Sequence, residues 1–222
     1  AASIPELDAT RVQAEIALKT AAWGRAWELS RAVTEGDSED HLAHAFAMVA
    51  ALGRLRAGDG HAYYDAYDHA LVVRNNSRYA ATASLVLGEA SLLAGRPLDA
   101  VIALERAIGQ VPGSREARLL LAAARRACGE DDMDVPALVQ QELMGCDGNP
   151  ALAAEAFLEL VFVWWRAGCG DCLAEALPLA PEPDHPAVRL LTGATPPEAG
   201  VVLSRWEEAD LLRQALDRDG EQ

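Results

Sequence analysis

The chain has 222 residues, of which 51% are apolar and 5% aromatic, and its formal charge is −15. That length supports one sizeable core or one short solenoid, and an alanine-heavy, aromatic-poor mixture suits closely packed helices. The acidity argues against nucleic acid as a partner, and no apolar run reaches the ~18–20 residues of a membrane span, so neither nucleic-acid binding nor membrane insertion is expected.

Residues 6–34 read as a first helix pair, with Trp23 opening its second helix. Gly36, Asp37, Ser38 and Glu39 then supply turn and cap chemistry. A second pair is expected over about 40–57 and 60–74. Its turn residue Gly58 precedes Gly95 by 37 residues, and Ala70 precedes Ala107 by the same interval. Leu52-Gly53, however, precedes Leu87-Gly88 by 35, which leaves the register of this first helix open.

The strongest pattern lies in residues 81–114. It comprises Leu87-Gly88, a turn at Gly95, small Ala100 and Ala107 around bulky Leu104, and a closing Pro112. This set resembles a tetratricopeptide (TPR) repeat, best over 81–114 and more loosely over 41–128. Ser84 and Ser91 stand where the family carries an aromatic residue and a tyrosine. The resemblance implies stacking, since one helix pair cannot bury its apolar face and a stack leaves a long concave surface.

Downstream, a helix over 115–128 turns at Gly129, and Pro136 opens a second helix through Met144. A fifth pair is expected over 151–166 and 171–179, with Gly168 and Pro181 as landmarks. Pro178, Pro181, Pro183 and Pro186 then crowd together and end the regular stack. A short helix near 186–193 follows. Thr195 and Glu198 next form a capping box with Pro196 at the first helical position. The helix it starts, running to Asp217, puts Val202, Trp206, Ala209, Leu212 and Leu216 on one face.

The expected fold is all-α: a right-handed α-solenoid of about five TPR-like helix pairs with a C-terminal capping helix. Residues 1–180 would form the repeat domain and 181–222 the Pro-rich turn and cap. Charge divides along the chain. Residues 1–128 hold 14 cationic and 15 anionic side chains, a balance of −1, whereas 129–222 hold 5 and 19, a balance of −14. The acidic part serves solubility or attracts a basic segment of a partner.

TPR-like geometry places the first helix of each pair on the concave side, where residues four and seven apart share a face. The implied peptide-binding residues are Met48, Leu52 and Leu55, then Leu85, Glu89 and Leu92, then Leu119 and Arg126, and finally Leu158, Phe162 and Trp165. Arg11, Glu15 and Leu18 precede them on the same face, and Ala123 lies between Leu119 and Arg126. The channel is mostly apolar and lacks a Lys, Arg and Asn set that would clamp a terminal carboxylate. An amphipathic helix or an apolar extended segment suits it. A two-residue shift of register would instead place these side chains in the core between helices.

Candidate chemistry is sparse. Cys169 and Cys172 are spaced as in zinc sites and redox dithiols, but no second close pair completes a metal site. On oxidation they would pair with each other or with Cys128, while Cys146 stays apart. His41 and His44 lie near a helix start and read as a solvated terminus. No phosphate loop, nucleophile elbow or metalloprotease motif is present, so no catalytic residue and no cofactor is assigned. The expected function is a non-catalytic protein–protein interaction scaffold: an adaptor, assembly factor or chaperone. Alternatives are a sensor or scaffold domain of a larger regulator or enzyme, or a thiol- or zinc-dependent switch. With no signal-peptide pattern the expected compartment is cytoplasmic. Ala1 in place of Met is expected of a processed chain or a piece of a longer one.

Overall fold

A computed structural model describes residues 4–130, 134–146 and 148–193, and these are helical without any strand. In chain order the helices are α1 (Ile4–Lys19), α2 (Trp23–Gly36), α3 (His41–Arg56), α4 (Ala62–Val73), α5 (Ala80–Leu93), α6 (Pro97–Gln110) and α7 (Arg115–Ala127). They continue with α8 (Val135–Met144), α9 (Pro150–Arg166), α10 (Gly170–Ala176), a 3-10 turn at Leu177–Leu179 and α11 (Pro186–Leu191). The helix expected over 195–217 lies outside the described residues.

Polar residues and prolines set the helix starts. Asp40 caps α3 by accepting from the Ala43 N–H at 2.9 Å, and Ser114 caps α7 through the Ala117 N–H at 3.2 Å. Asp134 and Asn149 do the same for α8 and α9, and α6, α8, α9 and α11 carry proline in the first turn.

The odd-numbered helices α1 to α9 share one ending. The N–H of Asp59 donates back to the carbonyl of Arg54 at 3.0 Å, Arg96 to Ser91 at 2.8 Å, Glu130 to Arg125 at 3.1 Å and Cys169 to Trp164 at 2.9 Å. This closure needs a left-handed residue, supplied by Gly58, Gly95, Gly129 and Gly168. Helix α1 closes identically, Ala22 donating to Ala17 at 2.9 Å, but its left-handed residue is Ala21, at φ 53°. Ala21 precedes Gly58 by the same 37 residues that separate Gly58 from Gly95.

The chain divides into two compact units, Ala1–Asp131 and Asp132–Gln222, whereas the sequence reading divides it near 180. The expected fourth pair is split, with α7 in the first unit and α8 in the second.

In the first unit each helix packs against the next, and α1, α3, α5 and α7 also pack in succession. Two glycines make these contacts close. A Cβ on Gly53 would lie 2.2 Å from the Trp23 ring, and one on Gly88 would lie 2.4 Å from Leu104. Gly53 therefore faces the preceding pair while Gly88 faces its own second helix. The two Leu-Gly pairs are not equivalent, which explains their 35-residue spacing; Ala51, fully buried, is the residue 37 before Gly88.

Met48, Leu55, Tyr63, Val73 and Val86 fill the core between α3, α4 and α5. A charged pair crosses it. Arg56 of α3 donates from Nε and Nη2 to the two carboxylate oxygens of Glu89 in α5, each at 2.6 Å, and Glu89 is 1% exposed. Nearer the start, Arg11 of α1 donates from Nε to Asp40 at 2.9 Å, tying α1 to the cap of α3.

In the second unit α9 packs against α8 and α10, burying Phe157, Leu160, Val161, Phe162 and Trp164. No helix among the described residues is long and apolar enough to cross a membrane.

Candidate functional site

The residues expected to line a channel fall into two groups. Met48, Leu52, Leu55, Glu89, Leu119 and, in the second unit, Leu158 and Phe162 are buried. So is Ala123. Here they are core between helices, not surface. The reason is the number of neighbours: α3 packs on α1, α2, α4 and α5, and α5 on α3, α4, α6 and α7, so more than one face of each helix is covered. Glu89 adds a chemical reason, since a carboxylate placed there is held by Arg56. Leu85, Leu92 and Arg126 in the first unit keep partial exposure, as do Arg11 and Leu18, while Glu15 is exposed. Trp165 in the second unit is half-buried with its ring edge-on to Phe162 at 6.5 Å.

The freely accessible apolar side chains of the first unit lie elsewhere, mostly on second helices. Tyr64 of α4 is 65% exposed, and Leu98 and Ile102 of α6 are 71% and 63% exposed. Leu98 and Ile102 are four apart and so share one face of α6. Tyr67 and Val72 add to the exposed surface of α4. At the root of α4 the Arg96 guanidinium lies over the ring of buried Tyr63 at 5.3 Å, so the α5–α6 turn is fastened to α4 by a cation–π contact.

A second constellation was missed because it joins separate helices. His44 of α3, read from sequence as part of a solvated terminus, is 8% exposed and shares an Nδ1–Nδ1 hydrogen bond of 2.7 Å with His69 of α4. Its Nε2 meets the Ser38 carbonyl oxygen at 3.2 Å. The Trp27 ring of α2 stands edge-on to His69 at 5.2 Å, and Arg54 lies over that indole at 5.2 Å. Burial, then the neighbouring His44, push the His69 pKa down to about 4, so the His69 ring is neutral at pH 7. Among the described residues no three His, Cys, Asp or Glu side chains are grouped to hold a metal ion.

The cysteines form a third feature. Cys169 is bonded to Cys172, with their Cα atoms 5.4 Å apart, while Cys128 and Cys146 are free thiols. The bridge joins the N-cap residue of α10 to the first turn of that same helix. It clamps no second element. Closing so small a ring restrains the unfolded chain by about 2 kcal/mol, against almost 5 kcal/mol for a hundred-residue loop.

No protein-family model matches the chain, and no curated protein matches it in sequence.

Proposed function

We propose that this chain is a non-catalytic protein-binding scaffold whose first unit is a right-handed stack of TPR-like helix pairs, taking a peptide or amphipathic helix of another protein. The reading is supported by the repeated glycine-centred endings of the odd helices, which mark the 37-residue period twice over when Ala21 is counted. It is carried by one observation: Tyr64, Leu98 and Ile102 are large apolar side chains held out to solvent on successive second helices. Exposed large apolar side chains such as the Leu98–Ile102 pair mark interaction sites, and aromatic anchors dominate interface energies. Leu85 and Leu92 are the part of the expected channel that a bound segment could reach without opening the core.

Affinity capture with wild-type chain and with Leu98→Asp/Ile102→Asp tests this reading. The substituted side chains are already exposed, so the melting temperature should hold while recovery of the partner falls at least about tenfold. Leu85→Asp/Leu92→Asp asks the same of the channel. Partner recovery unchanged by both double variants would remove the scaffold reading from these surfaces. The −14 balance of residues 129–222 supports a basic segment in the partner. Exposed attraction is screened over ~8 Å at physiological salt, so affinity should fall as salt rises; a flat response would leave the acidity to solubility.

A further inference from the structure

The disulfide in the second unit has no staple role, and its two sulfurs differ in setting. Cys172 is fully buried, packed inward with Ala176 on the face of α10 that meets the core. Cys169 is half-exposed, at the corner between α9 and α10. Gly168 and Gly170 flank it, both exposed, and a Cβ built on either would meet nothing within 4 Å beyond its chain neighbours and the backbone of its own helix. Cys169 thus keeps part of its surface open to solvent, whereas Cys172 has none.

The corner also does not depend on the sulfur bridge for its shape. Cys169 donates its N–H to the Trp164 carbonyl at 2.9 Å and accepts from the Leu173 N–H at 3.2 Å. Gly168 supplies the left-handed residue of the α9 ending at φ 69°. These backbone bonds hold the corner independently of the sulfurs. A partly exposed cysteine paired with a buried one, in a turn held by its own backbone hydrogen bonds, is an arrangement suited to exchange.

We infer that Cys169 and Cys172 form a thiol–disulfide exchange site, in which Cys169 is the sulfur attacked by a dithiol substrate and Cys172 is the leaving sulfur. One thiolate of the dithiol attacks Sγ of Cys169. The bond between the two protein sulfurs breaks, its electron pair leaves on Sγ of Cys172, and that sulfur takes a proton. The second thiolate of the dithiol then attacks its own partner sulfur in the mixed disulfide and expels Cys169, which is protonated in turn. The chain gains two electrons and two protons, and the dithiol leaves as a disulfide. This chemistry lies beyond the scaffold reading and stands without it.

The test uses the full chain and dithiothreitol as the dithiol. Increasing dithiothreitol should open the Cys169–Cys172 bond while the circular dichroism spectrum stays native. In the reduced chain Cys169 should be alkylated by iodoacetamide on the order of tenfold faster than Cys172, as mapped by mass spectrometry. Glutathione disulfide should form a mixed disulfide with Cys169 in the Cys172→Ser chain, and none with Cys172 in the Cys169→Ser chain. If Cys172→Ser disturbs the fold, Cys172→Ala replaces it, and the alkylation rates of the wild-type chain decide alone. A bridge that opens only when the chain unfolds, or equal reactivity of the two sulfurs, overturns the inference.

Discussion

Ala21 does the work of a glycine with the wrong side chain. At φ 53° it closes α1 as Gly58 closes α3, and a Cβ in that region costs about 1–2 kcal/mol. Ala21→Gly relieves this and loosens the unfolded chain by somewhat less, so a net gain of about 0.5–1 kcal/mol is expected in a denaturant melt. A lowered midpoint would mean that the α1 ending is not left-handed. His69 gives a pH dependence. Unfolded, its ring protonates near 6.5; folded, near 4, because of burial and then of His44, opposed by Asp65 and Asp68 on its own helix. Between those values the unfolded chain binds more protons, so stability is full above about pH 6.5 and falls as pH drops towards 4. His44 of α3 and Trp27 of α2 face the same ring, with Arg54 beyond the indole. Melts at pH 7 and at a pH of about 4.5 should show the wild type losing more than His69→Phe does; parallel losses would assign the effect to carboxylates elsewhere.

At the scale of elements, close packing predicts its own sensitivities. Gly88→Ala puts a methyl 2.4 Å from Leu104, and Gly53→Ala puts one 2.2 Å from the Trp23 ring. Each should cost about 1–3 kcal/mol, read as a drop in the unfolding midpoint, while Gly109→Ala, in open space on α6, should not destabilise. Arg56→Ala breaks a two-point charged contact on a carboxylate that is 1% exposed, with a loss of about 3 kcal/mol expected from the same melts. The same local signals account for what could be read from sequence. The helix stops at Gly58 and Gly95 were legible, because each glycine acts on the turn beside it, whereas the cap of α3 is Asp40, one residue beyond the Gly36–Glu39 stretch expected to supply it. Ala21 was not legible, since nothing in an alanine announces a left-handed turn. Met48, Leu52 and Leu55 of α3 and Glu89 of α5 were expected on the channel and lie in the core for a different reason. Spacing finds an apolar stripe but cannot say how many neighbours it meets, and these helices have neighbours on several sides. The His44–His69 contact was hidden because its partners lie 25 residues apart on different helices.

The whole chain consists of two compact units, and the first holds its own core clusters, ion pairs and helix endings. Residues 1–131 expressed alone should therefore give a helical protein with a cooperative thermal transition; a molten spectrum would show that the unit needs the rest of the chain. The second unit was not read as a separate body, because turn glycines recur at Gly129 and Gly168 and carry the helix-pair pattern across the boundary, although the charge balance changes beside it, at 128/129. In the first unit the principal partners of each helix lie one or two elements away in the chain. Such a unit has a low contact order, and helical proteins of that kind fold in microseconds to milliseconds. Because each odd helix also carries its own stop, the order of assembly is not dictated by one distant contact. Growth can begin at any well-capped pair and spread to its neighbours, and variants at α1 should then alter the unfolding rate more than the folding rate.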